Sequence, residues 1–516
     1  MRKISHMKLV YKIEFNSTNS YFKKIIETLI AQAGVNAVCK QYDGFILIII
    51  EEEGEKIESF FKFLETRLPV SIFIGKSYVI EDIDETIEEL EVHDVKQNLS
   101  LLTNDAIKEI IENNDIDFLN DILKISKGEV SRFETHNGLK DLFLPNKELR
   151  EEFESKGYEV KLLITDVTKV HDLFDINMKE MQLLCSIERP LVKLKIKLLK
   201  NAQKEISSTN YVYAKIPDDK ETVLFSQALK QKGIDYLLYV NDDVYQDGIK
   251  VTYFNNDNLI IRGEKGLFPK FDYVAKQKFN TSKEYFDTNG GVYKAILAQN
   301  AKRLIPSIGV YFSLKSDDSN ISINIPSKGL KKIIEIPNII NDLNNCIEEI
   351  EEIDEHCERL INNYKKKFPE FLRGEISQDT NGFESIINMC AKVIGLKDAK
   401  EFEDLALSAG IKSGLQIDTK LVNIDGVNYL DYRRTVQSMM SYKMADVDNM
   451  TLAYSFYESF SDFINNYADE IAKDTKAKDI VLCGDMFANS ILLSKTHKNL
   501  SKNYNIILPK RYPLDY

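Results

Sequence analysis

The chain has 516 residues, 43% of them hydrophobic and 29% charged, a soluble-globular composition with room for three or four domains. Its 81 acidic side chains outnumber 68 basic ones and leave a net charge of −13, the opposite of a nucleic-acid binder's basic footprint, so no nucleic-acid partner is expected. The longest apolar run, Phe45 to Ile50, is strand-sized, far below the roughly 20 residues of a membrane span, so no membrane insertion is expected. Cys39, Cys185, Cys346, Cys357, Cys390 and Cys483 show no paired spacing, which points to a reducing, cytoplasmic setting rather than to disulfides or a zinc ribbon.

Residues 1–82 alternate strand, helix, strand, strand, helix, strand. KLVYKIEF reads as a strand, Tyr21 to Ala33 as an amphipathic helix, and AVCKQYDGFILIII as a hairpin turning at Asp43-Gly44. Lys56 to Thr66 is a second helix and VSIFIGKSYVI the last strand, which together make the ferredoxin-like split βαβ order. Residues 83–120 are an acidic, helical linker in which His93 stands alone. Residues 121–275 alternate again. YEVKLLITDV is a strand, VHDLFDINMKEMQLLC mostly helix, and RPLVKLKIKL a strand on which Lys193, Lys195 and Lys197 share one face. That alternation reads as a solvated edge strand.

Residues 276–330 open with a polar crossing, then a helix over VYKAILAQNAKRL, and then the hairpin SIGVYFSLK and ISINIPS with Asp317-Asp318 at its tip. Over 331–370, Leu343, Ile347, Ile350, Ile353, Cys357 and Leu360 recur at helical steps in an acidic background, predicting one long amphipathic helix. Asp354, His356 and Glu358 lie within that helix and splay apart. The last stretch has a strand over Ile480 to Cys483, a turn at Gly484 and Asp485, a helix over Asn489 to Leu500 and a strand over Tyr504 to Leu508. This is a βαβ unit, with a glycine where the chain passes from strand to helix.

Cys-Gly-Asp-Met-Phe-Ala-Asn after a strand, then a Leu-rich helix and a Pro-Leu-Asp ending, resembles the nucleotide-binding segment of the HypF family, the hydrogenase-maturation carbamoyltransferases. The resemblance continues upstream. Gly395, Leu396, Phe402, Glu403, Leu405 and Ala406 sit on family positions, YLDYRRTVQSMM resembles a Leu-Asp-Trp-Arg segment, SIERPLVKL and NLIIRGEKGLFPKF resemble a YrdC-like domain, and the opening module looks like an acylphosphatase domain. It implies an α/β and α+β multidomain fold: an acylphosphatase-like domain (1–82), a linker replacing the zinc region (83–120), a YrdC-like domain (121–275) and an actin-like ATPase domain with a large internal deletion (276–516). The implied chemistry is carbamoyl transfer from carbamoyl phosphate, through a carbamoyl adenylate, to a cysteine of a partner among the hydrogenase-maturation proteins.

The resemblance places Lys23 and Gln41 at acylphosphatase-like positions. Gly484, Asp485, Phe487, Asn489 and Glu403 then border a nucleotide cleft for ATP or AMP, and Asp515 stands on a metal position. Departures from the family pattern bear on each. NSTNSYFKK has no glycine where a phosphate loop belongs, and an ammonium such as Lys23 or Lys24 is not the bidentate fork of arginine. The opening Gly-rich loop of the YrdC-like part is reduced to Gly138 in RFETHNGLKDLF, and of its later contacts only a turn at Asp242-Asp243 is matched. Asp485 replaces a glycine with a carboxylate. The chain has no cysteine between Cys39 and Cys185, and its six histidines include no pair three or four residues apart, so neither zinc nor another metal is expected. Two functions follow: a catalytically silent paralogue that binds a partner or nucleotide as a scaffold, or an active carbamoyl- or nucleotide-dependent transferase with a reduced site. An unrelated α/β protein is the remaining alternative.

Overall fold

The structure, a computed structural model, describes residues 6–81, 88–90, 101–114, 116–197, 200–241, 248–255, 257–263, 265–268, 296, 306–316, 318–325, 328–339, 342–372, 380 and 382–515. His93, Asp242, Asp243, Asp317 and the helix expected over 292–304, apart from Ile296, lie outside the described residues. The chain forms two compact units, Met1–Pro269 with Lys510–Tyr512, and Lys270–Pro509 with Pro513–Tyr516.

The first unit begins with β1 (His6–Phe15), α1 (Tyr21–Ala33), β2 (Ala37–Tyr42), β3 (Phe45–Glu53), α2 (Gly54–Arg67) and β4 (Ile74–Ile80). Its sheet has the order β2-β3-β1-β4, the split βαβ arrangement. Phe22, Ile26, Leu29 and Ile30 give α1 one buried face, and the helix stops where Gly34 turns left-handed at φ 62° and donates its amide back to Ile30 and Ala31.

After α3 (Asn104–Asn113) and α4 (Leu119–Ser126), an eight-stranded sheet is built from β5 (Ser131–Thr135), β6 (Gly138–Phe143), β7 (Lys161–Ile164), β8 (Leu191–Lys195), β9 (Tyr211–Lys215), β10 (Tyr236–Asn241), β11 (Lys250–Phe254) and β12 (Asp257–Arg262). Helices α5 (Lys147–Ser155), α6 (Val170–Leu173), α7 (Met178–Leu184), α8 (Lys200–Ile206) and α9 (Lys220–Gln231) connect these strands. The order β12-β11-β8-β9-β7-β10-β6-β5 corrects the edge-strand expectation, because β8 is interior, between β11 and β9. Its lysines are accommodated by neighbours rather than by an open edge. Lys193 lies 5.9 and 5.7 Å from the Tyr211 and Tyr213 ring centroids, Lys195 meets Asp175 at 3.4 Å, and Lys197, just past the strand, donates to the His171 carbonyl at 3.1 Å.

The second unit holds a seven-stranded sheet, order β16-β17-β15-β14-β13-β18-β19. It comprises β13 (Ser307–Tyr311), β14 (Asn320–Ile325), β15 (Gly329–Glu335), β16 (Leu421–Ile424), β17 (Val427–Leu430), β18 (Asp479–Cys483) and β19 (Asn505–Ile507). Its helices are α10 (Leu343–Glu351), α11 (Glu355–Lys367), α12 (Gly382–Val393), α13 (Ala399–Ser408), α14 (Tyr432–Met444), α15 (Asn449–Thr475) and α16 (Ser490–Leu500).

The single helix expected over 343–360 is two helices. Asp354 accepts the Cys357 amide at 2.9 Å as the N-cap of α11, so it is a capping residue rather than a rung of a continuous helix. The longest described helix is instead α15, 27 residues, whose Leu452, Phe456, Phe460, Phe463, Ile464 and Ile471 are buried. Among the described residues, no helix is long and apolar enough to cross a membrane.

Candidate functional site

The strand–glycine–helix–strand unit read from the sequence is present, with β18 pairing in parallel with both β13 and β19. Phe312 donates its amide to Cys483 at 3.0 Å, which extends the β13–β18 ladder past the strand ends, and Gly484 donates to Leu514 at 2.7 Å. Gly484 has φ 100° and ψ 147°, a region open essentially to glycine, and a Cβ there would overlap the Phe312 backbone. The close approach expected of this glycine is therefore made to the neighbouring backbone.

Asp485 follows, half-buried. One carboxylate oxygen accepts the Leu314 amide at 2.7 Å. Burial first, then the Asp515 and Glu403 carboxylates, push the Asp485 carboxyl up to about 7, against the pull of the Leu314 amide and of Lys315. Asp515 accepts hydrogen bonds from the Tyr311 hydroxyl at 2.9 Å and from the Ser313 hydroxyl. Burial and the Asp515 charge raise the Tyr311 phenol well above its ordinary value. The Asn489 amide donates to Glu403 at 3.2 Å. Asp485, Asp515, Glu403 and Asn489 thus form one acidic cluster with the loop that follows β13.

Other expected cleft residues have jobs inside the fold. Phe487 is fully buried and stacks on Phe312 at 6.3 Å between centroids, so it faces the core rather than a cleft. Asn489 accepts the Ile491 and Leu492 amides at 3.0 and 3.2 Å and so caps α16. Asp318, expected to repel an anion at the hairpin tip, is paired with Lys332.

Sequence reasoning missed Tyr311, Ser313 and Leu314. Their signal in the sequence is a tyrosine and a serine two residues apart where an apolar strand ends.

In the first unit, the NSTNS loop ahead of α1 directs its donors to protein carbonyls. The Ser17 hydroxyl and the Thr18 amide reach the Leu267 carbonyl at 2.8 and 3.3 Å, and the Thr18 hydroxyl reaches Phe268 at 3.1 Å. Gln41, fully buried, donates to the Ser17 and Asn19 carbonyls at 3.2 and 3.1 Å. Lys23 pairs with Glu89 at 3.3 Å and Glu27 at 3.9 Å. These contacts tie the loop down from both sides.

Gly138, at φ 100°, closes the β5–β6 hairpin. Next to it is a buried ionic network. Lys215 meets Asp218 at 2.5 Å, Lys140 lies 3.7 Å from Asp218 and 3.8 Å from Asp219, and Asn137 donates to Asp218 at 3.1 Å. Among the described residues, no group of three or more His, Cys, Asp or Glu is placed to hold a metal ion.

The described residues form a multi-sheet α/β architecture that ends in this acidic turn. Residues 384–515 match the family model of the carbamoyltransferase Kae1-like domain, second subdomain. The whole chain is similar in fold to full-length HypF in its phosphate- and nucleotide-bound form, with TM-score 0.59 and 12% identity over 99% of this chain and 97% of that one. HypF of T. kodakarensis is similar at TM-score 0.58 and 11% identity, over 98% of this chain and 96% of that one. In sequence, Protein HydE of Wolinella succinogenes is 22% identical over 425 residues, covering 76% of this chain and 72% of the relative. Residues 384–515 thus carry the Kae1-like second subdomain, and the chain as a whole has the HypF fold.

Proposed function

We propose that this HypF relative is a binding or scaffold paralogue of the cytoplasmic carbamoyltransferase, engaging hydrogenase-maturation proteins rather than turning over carbamoyl phosphate. The observation that carries this reading is the Asp485 carboxylate on the Leu314 amide. A backbone amide beside a strand-to-helix turn is the kind of donor that receives phosphate, and here a side-chain anion of the same chain holds it. The acylphosphatase-like loop supports the reading in the same way, since its Ser17 hydroxyl and its Thr18 amide and hydroxyl end on the Leu267 and Phe268 carbonyls. Calorimetry with ATP, AMP and carbamoyl phosphate tests it. Binding is expected to be millimolar or undetectable for all three, and low-micromolar binding of ATP or carbamoyl phosphate would overturn it.

A second reading, an active transferase with a reduced site, has one observation in its favour. Asp485, Asp515 and Glu403 converge, and a carboxyl pushed up to about 7 can hold or release a proton near neutral pH. Release of AMP from ATP only when carbamoyl phosphate is present would select that reading. Tightly held metal in the purified protein, lost on Asp515→Ala, would do the same for a metal-assisted version.

A further inference from the structure

Glu188 lies in the short connection between α7 and β8 and is 3% exposed. Three donors to its carboxylate come from the split βαβ module. The Tyr21 hydroxyl donates at 2.5 Å, the Ser71 hydroxyl at 2.5 Å and the Ile72 amide at 3.1 Å. The adjoining Ile187 amide donates to the Val70 carbonyl at 2.8 Å. Arg189, next in sequence, is left-handed at φ 48° and donates its amide to Ser186 at 3.0 Å. This uncommon conformation for a long side chain forms the tight turn that presents Glu188. A second seam, from Ser17 and Thr18 to Leu267 and Phe268, is completed by the Phe73 and Phe268 rings at 6.1 Å.

We propose that Glu188 is a latch, a buried acceptor that fastens the split βαβ module to the eight-stranded module so that the two unfold as one cooperative body. A carboxylate is an acceptor-only group, and here it takes two hydroxyls and one backbone amide at once. Removing it leaves three buried donors without their acceptor, which weakens the module that owns them. The essential property is acceptance rather than charge, so a glutamine that keeps one carbonyl oxygen retains much of the fastening. The latch goes beyond the scaffold reading and does not depend on nucleotide affinity.

Hydrogen exchange on the full chain reads it directly. Glu188→Ala is expected to speed exchange across 6–80 by roughly tenfold or more, through sub-global opening of that module. Exchange in the seven-stranded sheet should be unchanged, and Glu188→Gln should restore most of the protection. Wild-type exchange across 6–80 in Glu188→Ala would overturn the latch, as would a loss spread evenly over both units. If the alanine variant does not fold, Tyr21→Phe removes one donor of the same contact. It is expected to raise exchange in 6–80 several-fold while the eight-stranded sheet keeps its protection, and an unchanged pattern would count against the latch.

Discussion

The Asp485 carboxylate accepts the Leu314 amide at 2.7 Å, joining the turn after β18 to the loop after β13 across 171 residues of sequence. An ionised carboxylate about 4 Å from a phosphate, at an effective dielectric near 20, costs roughly 4 kcal/mol. At about 1.4 kcal/mol per decade that is nearly a thousandfold in affinity. Asp485→Gly removes the charge and frees the Leu314 amide. Because a carboxyl pushed up to about 7 takes up a proton near neutral pH, that penalty is felt in full only well above pH 7; titration calorimetry is expected to show ATP binding strengthened modestly at pH 7 and more as pH rises, with adenosine changed far less. If both ligands are unaffected, the turn is a structural joint alone.

Gly484 sets a sharper constraint. At φ 100° and ψ 147°, with the Phe312 backbone filling the space of a Cβ, alanine must break either the turn or the ladder to β13. Gly484→Ala is expected to cost at least about 3 kcal/mol, measured by urea unfolding of the second unit.

Asn489 offers the contrasting case of a motif residue whose described contacts are a helix cap and Glu403. Asn489→Ala is expected to cost about 1 kcal/mol through the lost cap on α16. Asn489→Ser should recover most of it, because serine also caps and adds no charge beside Glu403. A loss above about 3 kcal/mol in the same unfolding assay would point to a larger role.

Local patterns in the sequence reached the βαβ unit at 479–507 and the split βαβ module, because apolar runs, the Asp43-Gly44 turn and helix caps are short-range signals. They did not reach the partner of Asp485, which is distant in sequence and fixed by the pairing of β13 with β18. The lysines at 193 and 195 were legible as one face of a strand, but strand order depends on which edges pair, and that placed β8 inside its sheet. The apolar rhythm from Leu343 to Leu360 runs through the break before Asp354 because both helices bury residues, Ile347 and Ile350 on one and Cys357 and Ile361 on the other. Periodicity reports burial, and only the cap at Asp354 marks the break.

The buried network of the first unit predicts an acid-sensitive fold. Burial alone would raise the Asp218 carboxyl, but Lys215 and Lys140 outweigh it and hold the group down at about 2, against an ordinary 3.8. A depressed carboxyl contributes stability that is present above about pH 4 and lost as pH falls through about 2. Each unit of depression is worth about 1.4 kcal/mol, so wild type should lose a few kcal/mol over that window. Asp218→Asn is expected to cost about 3–5 kcal/mol at neutral pH by leaving Lys215 and Lys140 short of a counter-charge, and to flatten the acid dependence. Unfolding free energies measured at several pH values separate the two effects.

Acyl-phosphate hydrolysis needs donors converging on the phosphate and a group that orients water. In the loop ahead of α1 the Ser17 hydroxyl, the Thr18 amide and the Thr18 hydroxyl end on the Leu267 and Phe268 carbonyls, while the Gln41 amide is turned onto Ser17 and Asn19. Lys23 faces Glu89 and Glu27. The wild-type protein is expected to hydrolyse benzoyl phosphate no faster than buffer. Lys23→Arg should not change this, because a guanidinium cannot redirect amides already bonded to carbonyls and the loop has no glycine with which to rearrange. Hydrolysis well above the buffer rate, abolished by Gln41→Ala, would show that the loop opens in solution and that the first module hydrolyses acyl phosphates.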